Sequence, residues 1–150
     1  MTFGRIIASG LGSGYAPRAP GTVASLFAVL LGIPLMLAPT GTLALAAAVA
    51  SVGGLWAIRA SKVDGDPGWV VIDEVAGQWL ALLGLGRPTA LGLLAAFALF
   101  RLLDIAKPGP VGWADRQGGA AGIMADDLIA GVIAAGVLWA VRSHWPMVFG

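Results

Sequence analysis

All eight acidic residues of the chain, Asp64, Asp66, Asp73, Glu74, Asp104, Asp115, Asp126 and Asp127, fall between positions 64 and 127, crowding the mouths of apolar segments. A carboxylate beside hydrocarbon is costly, so such groups face a polar interior, pair with cations or do chemistry. Hard oxygen donors gathered at a membrane face suit a divalent metal of the magnesium type. Asp126 and Asp127 are the strongest hint. Two consecutive carboxylates opening an apolar helix repel each other unless a cation sits between them and the other acids. A Mg2+ ion bridging carboxylates from three segments would relieve that repulsion, and Gly131, one turn on, lets another helix pack closely.

Three further constellations surround this pair. Asp73-Glu74 follows Val70-Val71-Ile72 at a helix start, where the acids either complement the helix dipole or serve a site at the membrane mouth. Arg101, Asp104 and Lys107 are spaced to share one side of a helix end. They make an ion-pair ladder, or a metal ligand, Asp104, flanked by cations that hold phosphate oxygens. Gly12-Ser-Gly14-Tyr-Ala-Pro17-Arg-Ala-Pro20-Gly21-Thr22-Val-Ala-Ser25 is an irregular turn feeding a helix, with Thr22 in the N-cap position. Its free N–H groups suit an anion, although the Gly-Lys-Ser/Thr ending of a Walker A loop is missing.

The elements that must position these residues are those of an integral membrane protein. The 150 residues make one domain, 58% hydrophobic and 11% charged, with mean hydropathy +0.87, against about 25% charged for a soluble domain. A net charge of +1 without a basic run gives no nucleic-acid surface. The absence of cysteine excludes thiolate metal sites and cysteine nucleophiles. A single histidine, His144, excludes a His-rich zinc site. The N-terminus lacks the long apolar core of a cleaved signal peptide.

Phe3–Ala8 reads as a short interfacial helix. Val23–Ala38 and Thr42–Ile58 are apolar runs joined by the turn Pro39-Thr40-Gly41. Read as one span, Gln78–Phe100 would put Gly86-Arg87-Pro88 at the bilayer centre, breaking the helix and stranding a cation. It would also separate Asp73-Glu74 from Asp104 by roughly 30 Å. A helical hairpin over about 70–104, with arms Asp73–Leu85 and Thr89–Asp104, keeps every carboxylate on one side. Lys107–Gly122 reads as a Gly/Pro-rich loop, and a last helix runs from near Met124 to Val141. Arg5, Arg18, Arg59, Lys62, Arg101, Lys107 and Arg116 then share the acidic side, leaving Arg87 and Arg142 opposite, as the positive-inside rule expects of a cytoplasmic face. The expected fold is all-α: a polytopic membrane bundle with a helical hairpin and irregular Gly/Pro-rich loops at one face. Trp56, Trp69, Trp113, Trp139 and Trp145 fall at its boundaries like an aromatic belt.

Taken together, the ordered motifs Gly12-Ser-Gly-x-x-Pro-x-x-Pro-Gly-Thr22, Asp66 to Val-Ile-Asp73-Glu74-Val-x-Gly77, Phe100-Arg101-x-x-Asp104-Ile-x-Lys107-Pro108-x-Pro110 and Gly-Ile-Met-x-Asp126-Asp127-x-x-Ala-Gly131 resemble those of the phosphatidylglycerophosphatase A family. The resemblance runs from about residue 10 to 135. It implies a Mg2+-dependent phosphatase of the bacterial inner membrane, multi-pass, with its site on the cytoplasmic face, converting phosphatidylglycerophosphate to phosphatidylglycerol and phosphate. Position by position it implies Asp66, Asp73, Glu74, Asp104, Asp126 and Asp127 as metal ligands, all but Asp66 also catalytic. Arg101, Lys107, Thr22 and Ser25 are the expected phosphate contacts. Ala24 stands where many members have Gly, and Pro67 where some have His; neither removes a carboxylate. Asp64 and Asp115 match less securely.

Hydrolysis by a metal-activated water and attack by an aspartate are both compatible with these residues. The rival from another class is a small transporter or channel subunit using the acids as a relay. Asp64-Gly-Asp66 lacks the flanking residues of a haloacid-dehalogenase nucleophile. Asp64-Gly65 is not followed by the Ala-Arg of a CDP-alcohol phosphotransferase, and histidine-dependent lipid phosphatases need histidines this chain does not have.

Overall fold

Backbone N–H and C=O groups find no water in hydrocarbon, so apolar runs of this length satisfy them within helices. In the computed structural model, which describes residues 2–63 and 65–149, the chain forms α1 (Phe3–Ala8), α2 (Pro20–Leu37), α3 (Thr42–Ala60), α4 (Ile72–Leu82), α5 (Ala90–Ala106), α6 (Pro110–Asp115) and α7 (Gly119–His144), with a 3-10 turn at Ser13–Tyr15. There is no strand among the described residues. α2, α3 and α7 are long and apolar enough to cross a membrane. α4, with 11 residues, covers about 16 Å, short of the roughly 30 Å hydrocarbon core.

The hairpin is present. Its turn follows α4, and Thr89 caps α5 by accepting from the Gly92 N–H at 3.2 Å. Gly84 packs on the α7 backbone at Ala135, and a Cβ on Gly86 would lie 2.5 Å from Arg142 Nη1. The tip, with Arg87, therefore shares an end of the molecule with Arg142, while Asp73, Glu74 and Asp104 share the other. α4 is the centre of the bundle, packed against α2, α3, α5 and α7.

The buried core is built of small residues. Ala24, Ala28, Ala57, Ala76, Ala81, Ala96, Ala130 and Ala134 are fully buried, as expected where close backbone approach, rather than exclusion of water, holds helices together. The closest approach is between Gly77 of α4 and Gly131 of α7, where a Cβ on Gly131 would collide with the Gly77 carbonyl. Phe100, Ile58 and Leu82 join that core, but many large apolar side chains point outward. Leu45, Val49, Val52 and Trp56 form an exposed stripe on α3, the surface a bilayer requires.

Two boundaries differ from the sequence reading. Thr22 is not an N-cap: Pro20 opens α2 after Ala19, which takes a left-handed conformation. The proline ring presets the helical φ and lacks the N–H that a first turn leaves unpaired. The segment Lys107–Gly122 is not all loop, because Pro110 starts α6 in the same way. α7 begins at Gly119 after the positive-φ pair Gly118-Gly119, so Asp126 and Asp127 stand two turns inside the helix rather than at its mouth.

Candidate active site

A cavity of about 350 Å³ opens where the start of α2, the strandless stretch before α4, the end of α5 and the third turn of α7 converge. Asp66, Asp73, Glu74, Arg101, Asp104, Lys107, Asp126, Asp127 and Thr22 all line it. Asp73, Asp126 and Asp127 are only 6%, 5% and 2% exposed. Their oxygens form two groups, Asp73/Glu74/Asp127 and Asp104/Asp126/Asp127, each with its members' atoms within 4.8 Å of one another. Asp127 belongs to both.

This arrangement follows from the glycines. Gly77 and Gly131 bring α4 and α7 together backbone to backbone, so Asp73, one turn before Gly77, meets Asp127, one turn before Gly131. At Gly21 a Cβ would collide with the Glu74 carboxylate; the missing side chain lets the α2 start close over the acids. Gly14 meets the Trp69 carbonyl, and the Val71 N–H donates to the Ala8 carbonyl at 2.9 Å, which fixes the approach to Asp73. The Gly12–Tyr15 turn is thus used for packing, and only Ala19–Thr22 of that motif reaches the cavity.

Two cations serve different acids. Arg101 pairs with Asp104 through Nη1, which also lies 4.0 Å from Glu74 Oε1. Lys107, the left-handed C-cap of α5, leaves the Arg101/Asp104 ladder and donates to Asp126 Oδ2 at 2.8 Å and to Asp115 Oδ1. Partial burial alone would lower the Lys107 pKa, but the ion pairs with Asp115 and Asp126 outweigh it and hold the ammonium well above its ordinary value. At Asp66, desolvation by burial raises the pKa and Lys107 opposes it.

Several polar atoms here are buried without a protein partner: Asp73 Oδ1, Glu74 Oε2, Asp127 Oδ2 and Arg101 Nε. Carboxylate oxygens buried without a partner are expensive. A group of hard oxygen donors with free lone pairs fits a metal ion of the oxygen-seeking class.

The family model for phosphatidylglycerophosphatase A matches residues 6–142. The chain belongs to that family. Phosphatidylglycerophosphatase A of Escherichia coli (strain K12) is 36% identical over 146 residues, covering 95% of this chain and 85% of the relative. That of Haemophilus influenzae is 34% identical over 147 residues, covering 95% and 90%. A Bacteroides thetaiotaomicron protein, named provisionally as a phosphatidylinositol-3-phosphatase, is 39% identical over 138 residues, covering 85% and 86%. No solved structure matches. The reaction of the phosphatidylglycerophosphatase A family is dephosphorylation of phosphatidylglycerophosphate to phosphatidylglycerol, in phospholipid biosynthesis.

Measured against the family motifs, most of the expected site residues of a phosphatidylglycerophosphatase A meet in the one cavity. Ser25 does not: it is fully buried and its hydroxyl donates to the Gly21 carbonyl at 2.8 Å, inside α2. Asp66 lines the cavity outside both carboxylate groups. Asp64 lies outside the described residues. Sequence reasoning gave Asp115 no role, yet it holds Lys107; the signal is Pro110, which starts the short helix carrying it. Gln78, one turn below Glu74 and not among the cavity's lining residues, is fully buried with both amide atoms lacking a protein partner.

Proposed function

We propose that this protein hydrolyses the phosphomonoester of phosphatidylglycerophosphate with Mg2+ as cofactor, at the cytoplasmic face of the bacterial inner membrane. The observation that carries the reading is the shared cavity. Buried carboxylate oxygens without partners stand in it beside Arg101 and Lys107, a combination suited to a metal ion and a phosphate together. Asp73, Glu74, Asp104, Asp126 and Asp127 would hold Mg2+, with Asp66 at the edge. Bound there, the ion supplies Lewis-acid polarisation of phosphoryl oxygens and a lowered pKa for water. Arg101 and Lys107 hold the remaining phosphate oxygens, and Thr22 with the first amides of α2 completes the cradle. Water adds its oxygen to phosphorus, the bond to the glycerol oxygen breaks, and the alcohol leaves with a proton. All three relatives carry names of lipid-phosphate phosphatases, and two share this headgroup.

The test is phosphate release from phosphatidylglycerophosphate by the purified protein in detergent. Release is expected with Mg2+, to vanish with a chelator, and to return when Mg2+ is restored. Release indifferent to chelation would remove the metal from the mechanism, and no release from folded protein would point to a different lipid phosphate.

Asp115 gives a finer prediction. Asp115→Asn frees Lys107 from one of its two partners, so kcat/KM should fall roughly tenfold, with activity recovered in Asp115→Glu. The Asp115 side chain is 42% exposed, and an exposed pair contributes about 1 kcal/mol at most, so the melting temperature should barely move. A large drop in melting temperature with unchanged kinetics would make Asp115 a structural residue only.

A further inference from the structure

The acidic cavity has one apolar edge. Ile105, on the last turn of α5, lines the cavity and is also 68% exposed on the outer surface. Leu102, one turn earlier, is 62% exposed. Across from them Thr22 lines the cavity from the first turn of α2, and Leu26, next on that helical face, is 51% exposed. α2 and α5 contribute to one apolar cluster through Leu35 and Met36 at the far end of α2 and through Leu93 and Leu99 along α5. α2 is long and apolar enough to cross a membrane, and a bilayer around it would bring hydrocarbon to this seam.

The opposite flank of α2 offers a contrast. A cavity of about 380 Å³ there has Phe27, Ala50 and Trp79 in its walls, and no charged side chain lines it. The α2–α4 contact, with Trp79 Nε1 donating to the Ala28 carbonyl at 2.9 Å, divides it from the acids. The α2–α5 seam, by contrast, joins apolar surface to the phosphate-binding groups.

We propose that the α2–α5 seam is a lateral doorway: a lipid presents its phosphate to the acidic cavity through it, while its acyl chains stay in the bilayer against Leu26, Leu102 and Ile105. This rests on the phosphatase reading above and deepens it. Lifting the lipid into water would expose its chains, at a cost proportional to their apolar area; the seam avoids that step.

Leu102→Asp places a carboxylate where the chains would lie, an unfavourable contact in hydrocarbon. Leu94→Asp is the control, on the same exposed face of α5, 63% exposed and two turns further from the cavity. Each is assayed with Mg2+ on phosphatidylglycerophosphate in vesicles and on a water-soluble short-chain form with the same headgroup. Leu102→Asp should lower vesicle turnover about tenfold or more and short-chain turnover less than about threefold, whereas Leu94→Asp should change neither by more than about threefold. Equal loss on both substrates, or no loss, overturns the doorway. No release from either substrate by the unaltered protein overturns the phosphatase reading instead.

A second test needs no charge in the lipid. The chain has no cysteine, so Leu26→Cys with Leu102→Cys gives a unique thiol pair for a cleavable cross-linker. Closing the seam should stop vesicle turnover, spare the short-chain substrate, and be reversed by reductant. Undiminished vesicle turnover after cross-linking, or cross-links between two chains in place of one, overturns the doorway; the latter would mean that a second copy covers the seam.

Discussion

Asp127→Asn is expected to cut turnover by roughly 10³, a loss of several kcal/mol of transition-state stabilisation, while the protein still inserts and folds. Asp127 is the one residue common to both carboxylate groups, and it is 2% exposed with Oδ2 unpartnered. Asparagine keeps its volume and removes its charge. The metal-free variant should melt at a higher temperature than the unaltered protein, because one of five crowded carboxylates no longer repels the others. Adding Mg2+ should then raise the melting temperature of the unaltered protein more than that of the variant, since an ion that binds only the folded state stabilises it by an amount that grows with the logarithm of its affinity. Phosphate-release kinetics and thermal melting with and without Mg2+ check both halves. Near-normal turnover would remove Asp127 from the ligand set.

Gly131→Ala should be severely damaging for a single methyl group. Its Cβ would collide with the Gly77 carbonyl, with the Gly77 Cα only 3.0 Å away. Both partners are backbone, so neither can turn aside, and α4 and α7 must separate. Overpacking of this kind costs about 3 kcal/mol or more. Because the same contact brings Asp73 to Asp127, activity should fall with stability. Gly136→Ala, in the same helix with nothing within 4 Å of the added Cβ, is the control and should be neutral or slightly stabilising. Equal melting curves for the two variants would show that the helices do not meet backbone to backbone at Gly131.

The sequence by itself determined the class of the protein and most of the cast. Uninterrupted apolar runs fix the spanning helices, because lipid leaves the backbone no other partners. Gly86-Arg87-Pro88 fixes the hairpin, because no bilayer centre accommodates that break. Carboxylates at the ends of those runs point to a site, because their cost beside hydrocarbon calls for a partner or a task, and the ordered motifs name the family. Local start signals mislead where proline replaces a cap: Pro20 and Pro110 begin helices where the sequence alone points to Thr22 and to a long loop.

Only the tertiary structure decided which charges meet. The Gly77–Gly131 contact sets Asp127 between two groups of acids, and the left-handed turn at Lys107 swings its ammonium from Asp104 to Asp115 and Asp126. Ser25 turned inward to the Gly21 carbonyl although Thr22, three residues earlier, faces the cavity. Composition and periodicity report how a residue stands to its own helix and to the bilayer. Which neighbour it faces depends on where two backbones cross, and here that crossing is set by side chains that are absent.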